Sequence, residues 1–276
     1  MRIAINHSTS YSYGKPIMTA MQLMRLTPRS SANQFIRRWR VEIDADAKLD
    51  KSEDAYGNIT HMAFIDGPLE AVNILIEGEV DTTDTGGVML GIVERQPAQL
   101  FLRDTSLTEA SAAIKDFARD AWTAESGELL AVLHKINSDL HENLRFDVTA
   151  TNSSTTAAEA FNAQHGVCQD FSHVYIAAAR SLNIPARYVS GYYLRTDTAE
   201  QDAGHAWAEA LVPNLGWVGF DPANGLCVND RYVRVAIGLD SREAAPVRGA
   251  QTGGQDEALS VSIRVKQGRL MSQSQS

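Results

Sequence analysis

Cys168, His205 and Asp221 follow one another along the chain. They are the residue types of a thiol nucleophile, its proton acceptor and the group that orients that acceptor. Such a set works when the sulfur is anionic, when an imidazole lies beside it, and when a third group holds the imidazole. Phe171, Val174, Tyr175, Ala178 and Leu182 share one face of a helix that Asn183 and Pro185 stop. Cys168 then sits in the first turn of that helix, or one residue from it. There the unpaired N–H groups and the macrodipole favour a negative sulfur, and the same N–H groups can bind an oxyanion as it forms. His205 and Asp221 fall on two later strands, His205 to Val212 and Trp217 to Asp221, joined by the turn Pro213-Asn214-Leu215-Gly216. A hairpin there brings them side by side on neighbouring strands. Order and spacing alone do not single these residues out, because any chain of this size contains Cys, His and Asp in some order.

The other chemistry-bearing residues have blander readings. Gln164, four residues before Cys168, is a candidate oxyanion donor that competes with a reading as loop filler. Trp207 is a candidate wall of the substrate groove, flanking the base and keeping water from it. Asp170 complements the dipole of its helix. His165 and His173 are structural, and Cys227 is a small unpaired hydrophobe. A disulfide between Cys168 and Cys227 would abolish the nucleophile. No CxxC pair and no HExxH occur, and the seven histidines are scattered, so neither a metal nor a cofactor is expected.

The elements that must position these groups change character along the chain. Period-2 alternation marks Ile3 and Ile5, Tyr11 and Tyr13, the row Phe35, Arg37, Trp39, Val41 and Ile43, then Ile59 to Ile65 after the turn Gly57-Asn58, and Val72, Ile74 and Ile76. An antiparallel sheet with one buried face is expected over residues 1–104, with Arg25 to Arg29 ending a strand at Pro28 and Asp84 to Gly87 forming a turn. Past residue 105 the period becomes helical. Ile114, Phe117, Ala118 and Ala121 mark one amphipathic helix, and Leu129, Leu133, Ile136 and Leu140 another. Thr151 to Thr156 reads as a loop, and Thr156 with Glu159 as a capping box. After the cysteine helix come strands at Ala186 to Leu194, His205 to Val212, Trp217 to Asp221 and Asp230 to Leu239. Ser241 to Glu257 reads as loop, Leu259 to Val265 as a terminal strand, and the tail from Met271 is expected to fray. Two units are expected: a β-rich domain over 1–104, and a core over 105–276 that includes the C-terminal strand.

The chain carries 25 Lys and Arg against 34 Asp and Glu, a formal net charge of −9, and is 44% hydrophobic. No overall basic field is present to hold nucleic acid or an anionic membrane. No run approaches the ~20 apolar residues of a membrane helix, and the start, Met1 to Gly14, has no apolar leader. A soluble, cytoplasmic protein with a peptide or protein substrate is the expectation; the oligomeric state is not legible.

The words around the three residues carry a resemblance. They are Gly166-Val167-Cys168-Gln169-Asp170-Phe171, the run Ile184 to Tyr192 (IPARYVSGY), His205-Ala206-Trp207 with Glu209, and Gly216-Trp217-Val218-Gly219-Phe220-Asp221-Pro222. Together they resemble the transglutaminase-like superfamily, in its bacterial cysteine-peptidase-like branch. Tyr11-Ser12-Tyr13, Arg25-Leu26-Thr27-Pro28-Arg29 and Tyr56-Gly57-Asn58 resemble the β-rich domain ahead of the core in bacterial members, and Pro246-Val247-Arg248-Gly249 resembles the family's ending. The resemblance implies an α+β fold with a papain-like core, in which the helix carrying the Cys packs on an antiparallel sheet. It implies a catalytic triad of Cys168, His205 and Asp221, and attack on a carboxamide carbonyl through a thioester acyl-enzyme. Water then releases the acid, or an amine takes the acyl group as in a protein-glutamine transglutaminase; hydrolysis is the favoured reading. Gly204, Ala223 and Leu239 stand where Ser, Thr and Arg are common, which touches loops and substrate contacts rather than the triad. A non-catalytic binding module on the same fold is the rival from another class, and the intact Cys168, His205 and Asp221 argue against it. Glycan amidase chemistry is weakened by the absence of CxxC zinc pairs.

Overall fold

The computed structural model describes residues 1–268; the tail from Met271, expected to fray, lies outside the described residues. The first strands are β1 (Arg2–Thr27), β2 (Gln34–Ile43), β3 (Ala47–Glu53) and β4 (Ile59–Thr82). Helices α1 (Ala112–Ala124) and α2 (Leu129–Asn143), the short β5 (Arg145–Phe146), α3 (Ala157–Ala163), β6 (His165–Gly166) and α4 (Cys168–Ser181) follow. Strands β7 (Ala186–Tyr193), β8 (Glu200–Gln201), β9 (His205–Val212), β10 (Gly216–Asp221), β11 (Leu226–Cys227) and β12 (Tyr232–Gly238) come next. The described chain closes with β13 (Val247–Gln255) and β14 (Ala258–Gln267). Among the described residues no helix is long and apolar enough to cross a membrane.

The architecture is α+β, as expected. Strands β2, β4, β1, β14 and β8 lie side by side in one sheet, with β3 added to β4 and β13 added to β1. A second sheet has the order β11-β10-β9-β7-β12, antiparallel throughout. Helix α4 packs on it through β9 and β7.

Several strands differ from the sequence expectation, each for a physical reason. The strand of Ile3 and Ile5 is not among them: Tyr11 and Tyr13 continue it as expected, and β4 pairs with β1 from Arg2 to Thr27 with register shifts instead of breaks. In β2 the expected row of Phe35 with Trp39 is out of phase. The register shifts between Ile36 and Arg38, and such a bulge reverses parity. Ile36, Trp39, Val41 and Ile43 pack inward and Phe35 is exposed. Residues 247–255, expected as loop, form β13 along β1 from Met24 to Lys15. Its side chains are mostly exposed, so ladder hydrogen bonds rather than apolar alternation hold it, and no periodicity betrays it. The mostly exposed β3 escapes the pattern for the same reason.

The terminal strands do not stay with the core expected over 105–276. β14 pairs with β1 from Ser12 to Ile3, so both C-terminal strands complete the N-terminal sheet. The two sheets share apolar packing: Ile3, Ile5, Val80, Ile263 and Val265 are buried in one cluster with α1, α2 and α4. The far halves of β1 and β4 build their own cluster around Ile17, Met24, Ile65 and Ile74. The helices follow their sequence signals. Ser111 caps α1 by accepting the Ile114 N–H at 3.3 Å. Thr156 and Glu159 form the expected capping box on α3.

Candidate active site

Helix α4 begins at Cys168 because Val167 is still extended. The Asp170 carboxylate turns back to accept the Val167 N–H at 2.8 Å and the Thr151 hydroxyl at 2.6 Å. Burial raises the proton affinity of Asp170 and these bonds oppose it. Gly166 makes room for that carboxylate: a Cβ there would lie 2.7 Å from Asp170 Cβ and Oδ2. The first i→i−4 bond of the helix runs from the Phe171 N–H to the Val167 carbonyl at 3.1 Å. The N–H groups of Cys168 and Gln169 precede it and have no intrahelical acceptor. Every residue from Asp170 to Arg180 is buried, whereas Cys168 at the tip is half-buried.

β9 delivers the imidazole. Its residues Ala206, Ala208 and Ala210 belong to the cluster that contains α4, and Trp207 packs in a separate cluster with Trp217, Val228 and Tyr232. Small side chains toward the helix let strand and helix approach closely. His205, the first residue of β9, pairs with Gly191 of β7. A Cβ on Gly191 would lie 2.1 Å from the Val233 carbonyl oxygen and 2.7 Å from the Trp207 ring, so only glycine fits there. The hairpin from β9 to β10 turns at Asn214 and Gly216, both with positive φ. It sets Phe220 opposite Ala208, and Asp221, the next residue of β10, lies near enough to bond the His205 ring.

The carboxylate of Asp221 is fully buried and fully engaged. Its Oδ2 accepts the His205 Nε2–H at 2.6 Å, the Asn224 amide at 2.7 Å and the Tyr232 hydroxyl at 2.7 Å. Its Oδ1 accepts the backbone N–H groups of Ala223 at 3.1 Å and Asn224 at 3.2 Å. Burial acts to raise its proton affinity, but the imidazolium charge and these donors win and lower it. With Nε2 committed to Asp221, Nδ1 is the nitrogen left to face Cys168, which lies near enough to help raise the pKa of the ring and lines the same two cavities as His205. Burial acts to lower the pKa of His205; the Asp221 charge and hydrogen bond, with a smaller part from Cys168, override it and raise it to about 10. Such an arrangement can hold a negative sulfur beside a positive ring, the reactive form of a thiol nucleophile.

The structure thus brings Cys168, His205 and Asp221 together. It does not bring the other two candidates to the sulfur's open side. Gln164 is the exposed left-handed cap of α3 and lines neither cavity beside Cys168. Trp207 is fully buried behind His205, with ring centroids 6.3 Å apart, and lines neither cavity. His173 is buried, accepts the Ser241 N–H at 3.1 Å and is pushed down to about 4 by burial. Burial pushes the Cys227 thiol up to about 11. Asn224 and Tyr232 were not singled out in the sequence. Asn224 carried a usable signal, three residues after an Asp in a turn. Tyr232 carried none, because β12 reaches Asp221 only through the fold.

Val167, Cys168, Ala203, Gly204 and His205 form a ridge between two cavities. One, of about 540 Å³, is mainly apolar and runs under the N-terminal sheet. The other, of about 760 Å³, is more polar and is lined by Arg195, Asp197, Glu200 and Asp202. Among the described residues no group of three or more His, Cys, Asp or Glu is placed to hold a metal ion.

Comparison with known proteins matches the core of the transglutaminase-like superfamily to residues 115–222 and the bacterial transglutaminase-like N-terminal region to residues 3–81. An uncharacterized protein of Mycobacterium tuberculosis is 31% identical over 291 residues, spanning 96% of this chain and 92% of its own. One of Mycobacterium leprae is 26% identical over 278 residues, spanning 96% and 98%. Among solved structures, a candidate cysteine protease from Cytophaga hutchinsonii has a similar fold, with a TM-score of 0.72 at 18% identity, covering 96% of this chain and 98% of that one.

Proposed function

The chain belongs to the transglutaminase-like superfamily, and from that premise we propose that it is a thiol-dependent enzyme that cleaves a carboxamide, of a peptide or of a glutamine type, through a Cys168 thioester. The observation that carries the reading is the His205 ring, held by Asp221 at 2.6 Å on one nitrogen and set on the same cavity rim as Cys168 at the tip of α4.

In the first half-reaction the Cys168 sulfur attacks the carbonyl carbon and a C–S bond forms. The oxyanion is stabilised by N–H groups of the first turn, Cys168 and Gln169 among them. His205 gives its Nδ1 proton to the leaving nitrogen as the C–N bond breaks. In the second half-reaction His205 takes a proton from water, the hydroxide attacks the thioester carbon, and the C–S bond breaks to release the acid and free the Cys168 thiolate. Asp221 keeps the ring oriented throughout and stabilises it whenever it carries both protons. Hydrolysis is favoured over transfer because the half-buried sulfur faces a polar cavity that water can enter.

The test is incubation with glutamine-containing peptides, with and without a primary amine, followed by mass spectrometry. Release of ammonia or a cleaved peptide without an amine adduct supports hydrolysis. An amine adduct replaces it with transferase activity. Cys168→Ala abolishes either reaction and, with Cys168 half-buried, moves the thermal midpoint by less than about 3 °C. Wild-type turnover by Cys168→Ala refutes the proposal.

A further inference from the structure

The apolar cavity beside Cys168 is built from both ends of the chain. Leu26 of β1, Tyr188 and Tyr192 of β7, Val235 of β12, Val247 of β13 and Val261 of β14 line it, and Cys168 and His205 lie on its rim. Its volume of about 540 Å³ falls in the range, roughly 300–1,000 Å³, of pockets that enclose a small-molecule-sized group. It lies open beside the sulfur, so a group seated in it belongs to the molecule under attack.

Several polar side chains of the cavity are already bonded within the protein. His7 is buried and shares hydrogen bonds with the Tyr192 hydroxyl at 2.9 Å and the Thr9 hydroxyl at 3.0 Å. The Ser190 hydroxyl donates to the Ala244 carbonyl at 2.8 Å. Arg25 is paired through Nε to Asp54 at 2.8 Å, while its Nη1 is buried without a hydrogen-bond partner. Burial pushes His7 down to about 4, so it brings no charge at neutral pH. A polar or charged occupant would lose its water and find His7, Thr9, Tyr192 and Ser190 already engaged, which is unfavourable. An apolar occupant loses nothing by entering.

Taking the enzymatic reading as its basis, we infer that this cavity is the specificity subsite, and that it takes a bulky apolar side chain, aromatic or branched aliphatic, next to the attacked carboxamide. The N-terminal sheet then selects substrate as well as bracing the core, since β1, β13 and β14 supply one wall. The polar cavity across the ridge takes the other side of the same chain.

Binding to the Cys168→Ala protein tests this without turnover. Calorimetry compares N-acetyl tripeptide amides of sequence Ala-Phe-Ala, Ala-Gly-Ala and Ala-Glu-Ala. The Phe peptide is expected to bind at least about tenfold more tightly than the Gly peptide, from burial of one aromatic side chain, and the Glu peptide no better than Gly. Leu259→Asp, at an exposed residue of β14 that lines the cavity, and Val247→Asp on β13 should each bring the Phe-to-Gly ratio below about threefold. Equal affinity for the Phe and Gly peptides overturns the inference, as does a ratio unchanged in both variants; the parent comparison decides if a variant fails to fold. The two readings fail separately. Apolar preference in binding with no turnover of any peptide by the unmodified protein removes the enzyme and keeps the apolar subsite. Turnover that is blind to the neighbouring side chain removes the subsite and keeps the enzyme.

Discussion

Asp221→Asn is the sharpest perturbation the site offers, because it removes one charge and changes almost no volume. In the native protein the pKa of His205 stands at about 10 against an ordinary 6.5. That difference corresponds to a preference for the charged ring on the order of 5 kcal/mol. Burial alone acts in the other direction, so without the Asp221 charge the ring should titrate at or below the ordinary value. The asparagine also cannot satisfy the donors around it. Both oxygens of Asp221 accept, Oδ2 from His205, Asn224 and Tyr232 and Oδ1 from two backbone N–H groups. A side-chain amide has one acceptor, so its NH2 must face donors on one side or the other, a loss of roughly 1–3 kcal/mol.

NMR titration of the His205 ring is the direct assay, with turnover at pH 8 beside it. The ring should be charged at pH 8 in the native protein and neutral in Asp221→Asn. Turnover should fall by about 10²–10⁴, the usual size of lost acid–base catalysis. The sign of the stability effect follows. His205 has a raised folded value, so its contribution is whole below 6.5 and is lost as pH rises through about 10. Asp221 has a lowered value, so its contribution is present above 3.8 and is lost as pH falls through its lower folded value. Denaturant midpoints should therefore drop between pH 8 and 11 more steeply in the native protein than in Asp221→Asn. A ring that stays charged at pH 8 in the variant, or turnover within threefold of native, refutes the assigned role of Asp221.

Two further substitutions probe the supports of the site. Glu209 is fully buried between Arg187 at 2.6 Å and Arg234 at 2.7 Å, and Arg187 also stacks 3.8 Å over the Trp217 ring. Glu209→Gln leaves both guanidinium groups short of countercharge and should lower the unfolding free energy by about 3 kcal/mol; a loss below 1 kcal/mol in a urea titration would show that Glu94, the other partner of Arg187 at 2.9 Å, carries the pair. Gly166→Ala puts a methyl group against the Asp170 carboxylate, displaces the cap of α4 and moves Cys168; turnover should fall at least about tenfold while stability falls by about 1 kcal/mol, and native turnover would mean that the cap does not place the sulfur.

The helices and the core strands were legible because each buries one face, and burial writes its period into the sequence. Ile114, Ala118 and Ala121, or Leu133, Ile136 and Leu140, are buried as their spacing requires. Four strands of the second sheet, β7, β9, β10 and β12, fall within two residues of their expected bounds, while the two-residue β11 was not expected. Among the strands longer than two residues, what failed to show were β3 and β13, whose side chains mostly face solvent and whose ladders leave no trace in composition. The phase of β2 was hidden because a bulge is a backbone event. The partner of β14 was hidden because alternation announces a strand and not its neighbour. At the site, Cys168, His205 and Asp221 stood out through the words around them. Tyr232 could not, since its bond to Asp221 is made across the sheet. Gln164 caps α3 in a left-handed conformation, exposed and outside the lining of both cavities beside Cys168.

The words around the three residues have a packing reason that spacing alone did not reveal. In β9 every second residue from Ala206 to Ala210 is alanine, and the facing stretch of α4 includes Ala177, Ala178 and Ala179, all buried in the same cluster. Small residues on both surfaces let the helix lie close to the sheet. That separation decides whether a sulfur at the helix tip can reach an imidazole on the first residue of the strand. The intervening residues Trp207 and Glu209 are fully buried on the other side, where Trp207 backs the His205 ring and Glu209 binds the guanidinium groups of Arg187 and Arg234. The alternation in His205 to Ala210 therefore fixes two things at once. One face sets how near the sulfur stands, and the other stops the strand from yielding when the ring becomes charged.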